Sequence, residues 1–173
     1  ADDPAEAPPG GNNGVQPVEH TGIYGTFGLG GSIDNAALAG RGGALIRLSR
    51  GWLAGLEGEW NPYLSSNTGR FHEGSVNVYG TVIRQYQLKY EAVNLRTTLN
   101  AGISILAADL VGAPAGQIGP YVGLSPLGVE WKVARGFYVI FDPTHISIPV
   151  PNPKGAIFAY PQYRAMLGIQ FGG

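Results

Sequence analysis

Residues 163–171, YRAMLGIQF, place an apolar side chain at every second position. Side chains alternate between the two faces of a β-strand, so this stretch predicts a strand with one apolar face. Arg164 lies on the other face, and the aromatic Phe171 ends the pattern. Which solvent the apolar face meets decides the class of fold. The apolar set consists of Tyr163, Ala165, Leu167, Ile169 and Phe171.

The composition fits one domain that is rich in β-structure. The 173 residues include 28 Gly and 13 Pro, which disfavour helices, and no Cys. A hydrophobic share of 44% excludes a wholly disordered chain, and a net charge of −1 gives no reason to expect a nucleic-acid partner. No apolar run approaches the roughly 18 residues that a transmembrane helix needs.

The N-terminal stretch differs from the rest of the chain. Residues 1–20, ADDPAEAPPGGNNGVQPVEH, contain four acidic residues and neither Lys nor Arg. With nothing to bury, this stretch predicts a disordered acidic tail. The Ala-Asp-Asp start resembles a mature end left by signal peptidase, which predicts an exported protein.

Eight segments with two-residue alternation follow the tail. Transmembrane barrels typically have an even number of strands, with short turns at one end and longer loops at the other. The short connections are expected at about residues 50–51, 89–92 and 134–136. We therefore predict an all-β fold, an eight-stranded antiparallel up-and-down transmembrane β-barrel over residues 21–171. The segments are 21–32, 43–50, 52–62, 76–88, 93–107, 118–133, one starting with 137–142, and 160–171.

Charged residues lie on the face opposite the apolar one, among small residues such as glycine. An eight-stranded barrel has an interior that side chains just fill, and charges of both signs can pair there. The apolar face then suits lipid, whereas a soluble barrel would turn it inward. The predicted interior charge network is Arg47, Glu57, Glu59, Arg96, Glu130, Lys132 and Arg164.

Aromatic residues recur at a spacing that fits a membrane. Trp52 and Trp60 share a face, and eight residues of tilted strand separate them by roughly 21 Å along the barrel axis. An outer-membrane apolar band is about 25 Å tall, with aromatic girdles at both edges. The predicted girdle is Trp52, Trp60, Trp131, Phe137, Tyr163 and Phe171.

This pattern resembles the small eight-stranded outer-membrane barrels of Gram-negative bacteria, of the OmpA membrane-domain and OmpX type. The resemblance implies location in the bacterial outer membrane and contact with the lipid bilayer and lipopolysaccharide. It also implies that the last strand is read by the barrel-assembly machinery, although Gly172 and Gly173 follow the aromatic residue that usually ends this signal. The assembly-signal residues are Tyr163, Leu167, Ile169 and Phe171.

Two prolines interrupt the alternation. The apolar side chains change parity at Pro126 and again at Pro143, which predicts a β-bulge at each place. One interpretation is a weak lateral seam through which lipid enters, resembling a lipid-A palmitoyltransferase barrel. Residues 143–161 contain five prolines and are expected to form a stiff hairpin above the membrane.

Candidates for chemistry are few. His145 and Ser147 resemble the His-x-Ser pair of a lipid-A deacylase barrel, but no acid follows Asp142 where that family supplies one. Glu130 and Asp142 remain as geometric possibilities. The histidines are too dispersed for a metal site, and no cofactor is expected.

We therefore expect a non-enzymatic integral outer-membrane barrel with a structural or protein-interaction role through its outer loops, its tail or its lipid-facing wall. Another envelope protein is the expected partner. Two alternatives stay open: a lipid-modifying barrel enzyme with lateral lipid access, and a soluble lipocalin-like carrier barrel with an apolar cavity. Solubility without detergent would favour the carrier.

Overall fold

The computed structural model describes residues 22–32, 38–61, 74–88, 92–107, 114–151 and 161–173. They form eight strands, each paired antiparallel with the next, and the last pairs with the first to close a barrel. The predicted fold class is thereby confirmed. None of the described residues belongs to a helix long and apolar enough to cross a membrane. The strands are β1 (Ile23–Ser32), β2 (Leu38–Ser49), β3 (Trp52–Asn61), β4 (Ser75–Gln87), β5 (Val93–Leu106), β6 (Ile118–Ala134), β7 (Phe137–Pro149) and β8 (Gln162–Gly172).

Two tight turns define one end of the barrel. Gly51 between β2 and β3 and Gly136 between β6 and β7 have φ of 81° and 69°, in the left-handed region that glycine adopts without steric cost. The last strand ends at the same level, because the Gly172 amide donates to the Gly136 carbonyl at 2.8 Å. We call this end the short-turn rim and the opposite end the long-loop rim.

The facing of the side chains is inverted relative to a soluble barrel. Leu99 and Leu167 are 53% and 59% exposed on the outer wall, whereas Arg96 and Arg164 are 3% and 1% exposed in the lumen. The same alternation runs through all eight strands. The facing predicted from the sequence, apolar side chains outward and charges inward, is therefore confirmed.

The ladders contain an extra residue beside each of the two prolines. Between Thr98 paired with Ser125 and Arg96 paired with Gly128, β6 has two residues, 126 and 127, where β5 has only residue 97. Between the pairs Asp142–Met166 and His145–Arg164, β7 has residues 143 and 144 where β8 has only residue 165. Each extra residue restores the inward and outward alternation beyond the proline.

Two strand boundaries in the predictions were wrong. β2 starts at Leu38 rather than residue 43, which makes the connection 33–37 no longer than the connection 88–92. The added residues include Gly40 and Gly42, which disfavour a strand in isolation. In the barrel both pair with β1 on one side and with β3 on the other. β7 continues through Pro143 to Pro149, so residues 143–149 are barrel wall and not a hairpin above the membrane.

Several predictions concern residues outside those described. They are the acidic tail of residues 1–20, the tip of the proline-rich segment at residues 152–160, and His20 and His72. The structure does not test these predictions.

Candidate functional site: the filled lumen and the lipid-facing wall

An apolar plug fills the lumen near the short-turn rim. Tyr24, Leu45, Leu53 and Ile83 form one buried cluster, and Tyr138 packs against it. These residues come from four neighbouring strands, at positions close to where β1 and β3 begin. Their inward apolar side chains close this end of the barrel.

A hydrogen-bonded arginine covers the plug. Both Nε and Nη2 of Arg47 lie within hydrogen-bond distance of the Tyr24 hydroxyl, at 3.2 and 3.1 Å. The guanidinium carbon of Arg47 lies 5.5 Å from the centroid of the same ring, a cation–π distance. Arg47 is only partly buried, so it links the plug to the water at the rim.

Above the plug, one aspartate joins two arginines. Asp142 Oδ2 accepts a hydrogen bond from Arg41 Nη2 at 2.9 Å, and its Oδ1 lies 3.9 Å from Arg96 Nε. Arg96 Nη1 lies 3.8 Å from Glu130, whose carboxylate also accepts two bonds of 2.9 Å from the Gln85 amide. All of these side chains are buried. The four charged residues form a chain of alternating charge, Arg41–Asp142–Arg96–Glu130, inside the lumen.

A second ion pair lies further along the lumen. Both Nη atoms of Arg164 are 3.1 Å from Glu59 Oε1, and Nη2 donates to it. Arg164 also donates to the Ser147 hydroxyl, and Asn77 Nδ2 donates to Glu59 at 2.9 Å. A buried charge is tolerated when it is paired and hydrogen-bonded in this way.

Threonine hydroxyls and tyrosine rings complete the filling of the lumen. Glu57 accepts hydrogen bonds from the hydroxyls of Thr26 and Thr81 at 2.9 and 2.7 Å. The rings of Tyr79 and Tyr121 stack with centroids 4.8 Å apart and an interplanar angle of 16°. Side chains of all three kinds, apolar, charged and aromatic, therefore occupy the interior, as expected for eight strands.

The predicted charge network includes one residue that lies outside the lumen and lacks two that lie inside it. Lys132 has inward parity, but it lies at the short-turn rim, one residue beyond the last ladder pair of β5 and β6, Val93–Trp131. Its side chain is exposed there. Assigning Lys132 to the interior was therefore wrong. The network instead includes Arg41 and Asp142, which the sequence reasoning missed. The predicted residues that the structure buries in the lumen are Glu57, Glu59, Arg96, Glu130 and Arg164.

Signals for the two missed residues exist in the sequence. Asp142 shares parity with Tyr138 and Ile140, which point inward, and it directly precedes the bulge at Pro143. Arg41 shares parity with Leu45 and Arg47 once β2 is extended through its glycines.

The aromatic residues predicted as girdles lie on the outer wall. Trp52 and Phe137 begin β3 and β7 at the short-turn rim, and Phe171 lies near the end of β8 at the same rim. Trp60 and Tyr163 lie near the long-loop rim and are 51% and 49% exposed. Trp131, three positions before the short-turn end of β6, is also exposed.

The residues considered for catalysis are engaged in other contacts. His145 Nδ1 lies 2.8 Å from Ser125 Oγ, while the Ser147 hydroxyl accepts a bond from Arg164. His145 and Ser147 are both fully buried inside the wall. Asp142 is held by arginines. His145 and Ser147 are therefore each engaged with a different neighbouring strand.

No cluster of three or more potential metal ligands occurs among the residues that the structure describes. Ion pairs in the lumen join Arg41 and Arg96 to Asp142, Arg96 to Glu130, and Arg164 to Glu59. What the arrangement does chemically is to neutralise buried charge within a closed wall.

Comparison with known proteins identifies the fold through structure. No protein-family model matches the chain, and no curated protein matches its sequence. The N-terminal β-barrel domain of OprF from Pseudomonas aeruginosa is similar, with a TM-score of 0.64 at 8% identity over 88% of this chain and 98% of that domain. Neisserial surface protein A has a TM-score of 0.61 at 10% identity, over 87% of this chain and 94% of that protein.

A designed transmembrane β-barrel gives a further match, with a TM-score of 0.50 at 13% identity over 88% of this chain and 96% of the design. Identities this low carry the fold and not the function. The chain has the fold of the small eight-stranded outer-membrane β-barrels.

Proposed function

We propose that the protein is an integral β-barrel of the bacterial outer membrane whose role is structural or exerted through contacts, without catalysis and without bulk transport. The observation that carries this proposal is the inverted polarity of the wall. The exposed apolar side chains include Ile23, Leu56 and Leu167, at 71%, 69% and 59%. Complete burial of a fully exposed side chain of this size gains roughly 1.5–3 kcal/mol, so an apolar solvent covering the exposed part of each would contribute about 1–2 kcal/mol.

A closed barrel is also the form in which strands can enter hydrocarbon. Unpaired backbone N–H and C=O groups cost several kcal/mol each in a bilayer, so an open sheet edge is not tolerated there. In this chain β1 pairs with β8 as well as with β2, which removes both edges. The backbone and the outer side chains thus meet the requirements of a lipid environment together.

The lumen supports a role other than transport or carriage. A lipocalin-like carrier needs an apolar cavity, but here the interior contains Arg41, Asp142, Glu59 and Arg164 in ion pairs. A porin needs an open aqueous channel, and the plug around Leu45 fills one end. A rigid, filled barrel serves best as an anchor or as a docking wall for other envelope components.

The proposed partners follow from the two rims and the wall. The lipid bilayer covers the wall, and lipopolysaccharide would contact it near the long-loop rim. The barrel-assembly machinery would receive β8, where Tyr163, Leu167 and Phe171 all face outward. Another envelope protein would bind through the outer loops, the tail or the wall.

Gel electrophoresis of membrane-extracted protein, with and without boiling, tests the proposal. A barrel that stays folded in detergent migrates differently from the boiled chain, so we expect a heat-dependent shift and recovery from the outer-membrane fraction. Protein recovered in the soluble fraction with no shift would overturn the proposal.

Catalysis is tested separately on lipid A. Expression of the protein in a Gram-negative host should leave the lipid A mass spectrum unchanged, and the His145→Ala/Ser147→Ala double variant should give the same spectrum. A new acylation or deacylation product that the double variant lacks would instead support the lipid-modifying alternative.

A further inference from the structure

Arg84 lies on the outer wall, unlike the arginines of the lumen. It pairs across the ladders with Trp52 of β3 and Thr97 of β5, both of which face outward. Its guanidinium carbon lies 5.1 Å from the centroid of the Trp52 ring and 5.5 Å from that of the Tyr86 ring. Two aromatic side chains therefore hold the Arg84 guanidinium on an outer wall that is mostly apolar.

The position of Arg84 corresponds to a membrane interface. Trp52 follows directly after the turn at Gly51, so Arg84 lies at the short-turn rim among the girdle aromatics. Arginine on the lipid face costs about 2–4 kcal/mol at the bilayer midplane but only about 0–1 kcal/mol near the interfaces. At this level the guanidinium can reach lipid headgroups.

A recess of about 330 Å³ adjoins the guanidinium. Beyond Val82, the next outward residue of β4 is Gly80, which pairs with Leu56 on one side and Ala101 on the other. Leu56 and Leu99 project above this low floor, at 69% and 53% exposure. Because Gly80 has no side chain, we expect the recess to extend along the wall as a shallow groove. Its lining residues are Trp52, Val82, Arg84, Tyr86, Thr97 and Leu99.

The charge of Arg84 selects an anionic ligand. The ion pairs found among the described residues involve Arg41, Arg96 and Arg164, and not Arg84. Its cation–π contacts consume none of the five N–H donors of a guanidinium, which match a phosphate in bidentate fashion. Thr97 is already committed, because its hydroxyl donates to the Pro126 carbonyl at 2.9 Å.

Outer-membrane barrels have their short turns on the periplasmic side, so the short-turn rim faces that leaflet. We infer that this groove binds one glycerophospholipid of the periplasm-facing leaflet, with the phosphate on Arg84 and an acyl chain along Val82 and Gly80. The inference rests on the proposed membrane location. The aromatic rings of Trp52 and Tyr86 position the guanidinium, and the neighbouring leucines confine the chain.

Native mass spectrometry of the detergent-purified barrel tests this site, with dioleoyl phosphatidylglycerol and dioleoyl glycerol as probes that differ in the phosphate-containing headgroup. We expect one phosphatidylglycerol to be retained in preference to the diglyceride. Arg84→Gln should weaken that binding about tenfold, the loss expected for a charge-assisted contact. The control Arg135→Gln changes an exposed arginine of the β6–β7 turn at the same rim and should leave binding unchanged.

A second pair of variants tests the groove itself. A side chain at Gly80 has room, since a Cβ there meets nothing closer than the Ala101 carbonyl oxygen at 3.8 Å, and Gly80→Leu should fill the floor and weaken phosphatidylglycerol binding. Gly58→Leu is the control, because Gly58 also faces outward but pairs with Gly42 and Val78 and not with the residues beside Gly80. Equal binding by Arg84→Gln and Arg135→Gln would overturn the site. Absence of the heat-dependent shift in the unaltered protein would instead overturn the membrane location.

Discussion

Substitution of Glu59 by glutamine tests the energetics of the filled lumen. The side chains of Glu59 and Arg164 are 0% and 1% exposed, and both Nη atoms of the arginine lie 3.1 Å from one carboxylate oxygen. Glutamine keeps the shape and can still accept from Asn77, which donates to the same oxygen at 2.9 Å. The change therefore removes the negative charge and little else.

The expected cost follows from what Arg164 loses. A hydrogen bond to a charged group contributes about 1.5–3 kcal/mol, and removing one partner of a buried ion pair costs about 3–5 kcal/mol because the other charge stays buried. The Ser147 hydroxyl, its other hydrogen-bond partner, is neutral. We therefore expect Glu59→Gln to lower the free energy of unfolding by about 3–5 kcal/mol.

Equilibrium urea unfolding in lipid vesicles, followed by tryptophan fluorescence, measures this change. The matched control is Glu57→Gln, two residues away on the same strand and also facing inward. Glu57 accepts from the neutral hydroxyls of Thr26 and Thr81 and not from a guanidinium, so the control should cost about 1.5–3 kcal/mol, less than the loss of the direct ion pair. A second Arg164→Met substitution should restore part of the stability lost in Glu59→Gln. Equal effects of the two glutamine substitutions would refute the reasoning.

Three further predictions concern the wall. Ala101→Arg places a charge on the outer face near the middle of β5 and should lower the unfolding free energy in vesicles by about 2–4 kcal/mol, the cost of arginine at the bilayer midplane. An unchanged urea midpoint would contradict a lipid-facing position. Gly102→Ala adds a Cβ that would collide with the Val78 carbonyl and Tyr79 backbone, and it should lower the unfolding free energy by about 1–3 kcal/mol in the same assay. Its control is Gly58→Ala, which should be nearly neutral because a Cβ there meets nothing closer than the Asn77 carbonyl oxygen at 3.9 Å. Fluorescence of the three tryptophans, which are 40–51% exposed on the outer wall, should be quenched by brominated acyl chains, and quenching by aqueous iodide alone would count against the assignment.

The outline of the barrel could be predicted from sequence because strand alternation is a local signal. In β5, Leu99 and Ile103 alternate with Asn100 and Ser104 without interruption, and the structure places the first pair outward and the second inward. The parity changes at Pro126 and Pro143 were equally readable, since a one-residue shift in pattern requires an extra residue in the ladder.

What could not be predicted depends on contacts between distant strands. Arg41 and Asp142 are 101 residues apart in the chain, and nothing local to either shows that they pair. The start of β2 was misplaced because Gly40 and Gly42 disfavour an isolated strand, whereas in this barrel both pair with β1 on one side and β3 on the other. Lys132 was misassigned because parity gives a face but not a height along the barrel axis.

The His145–Ser147 motif illustrates the limit of short motifs. Two residues apart on one strand, both side chains point inward, but His145 contacts Ser125 of β6 and Ser147 contacts Arg164 of β8. Spacing along a strand gives a shared face, and the neighbouring strands decide the partners. Chemistry inferred from such a motif therefore requires the lateral contacts to be known.

Spin labelling of β5 tests the central claim most directly. The chain contains no cysteine, so single cysteines at Leu99, Ala101 and Ile103 can each carry a nitroxide without further changes. In reconstituted vesicles, we predict that all three labels collide far more often with oxygen, which concentrates in hydrocarbon, than with a water-soluble nickel chelate. Labels that collide mainly with the nickel chelate would show that this face meets water, and the inverted barrel would be contradicted.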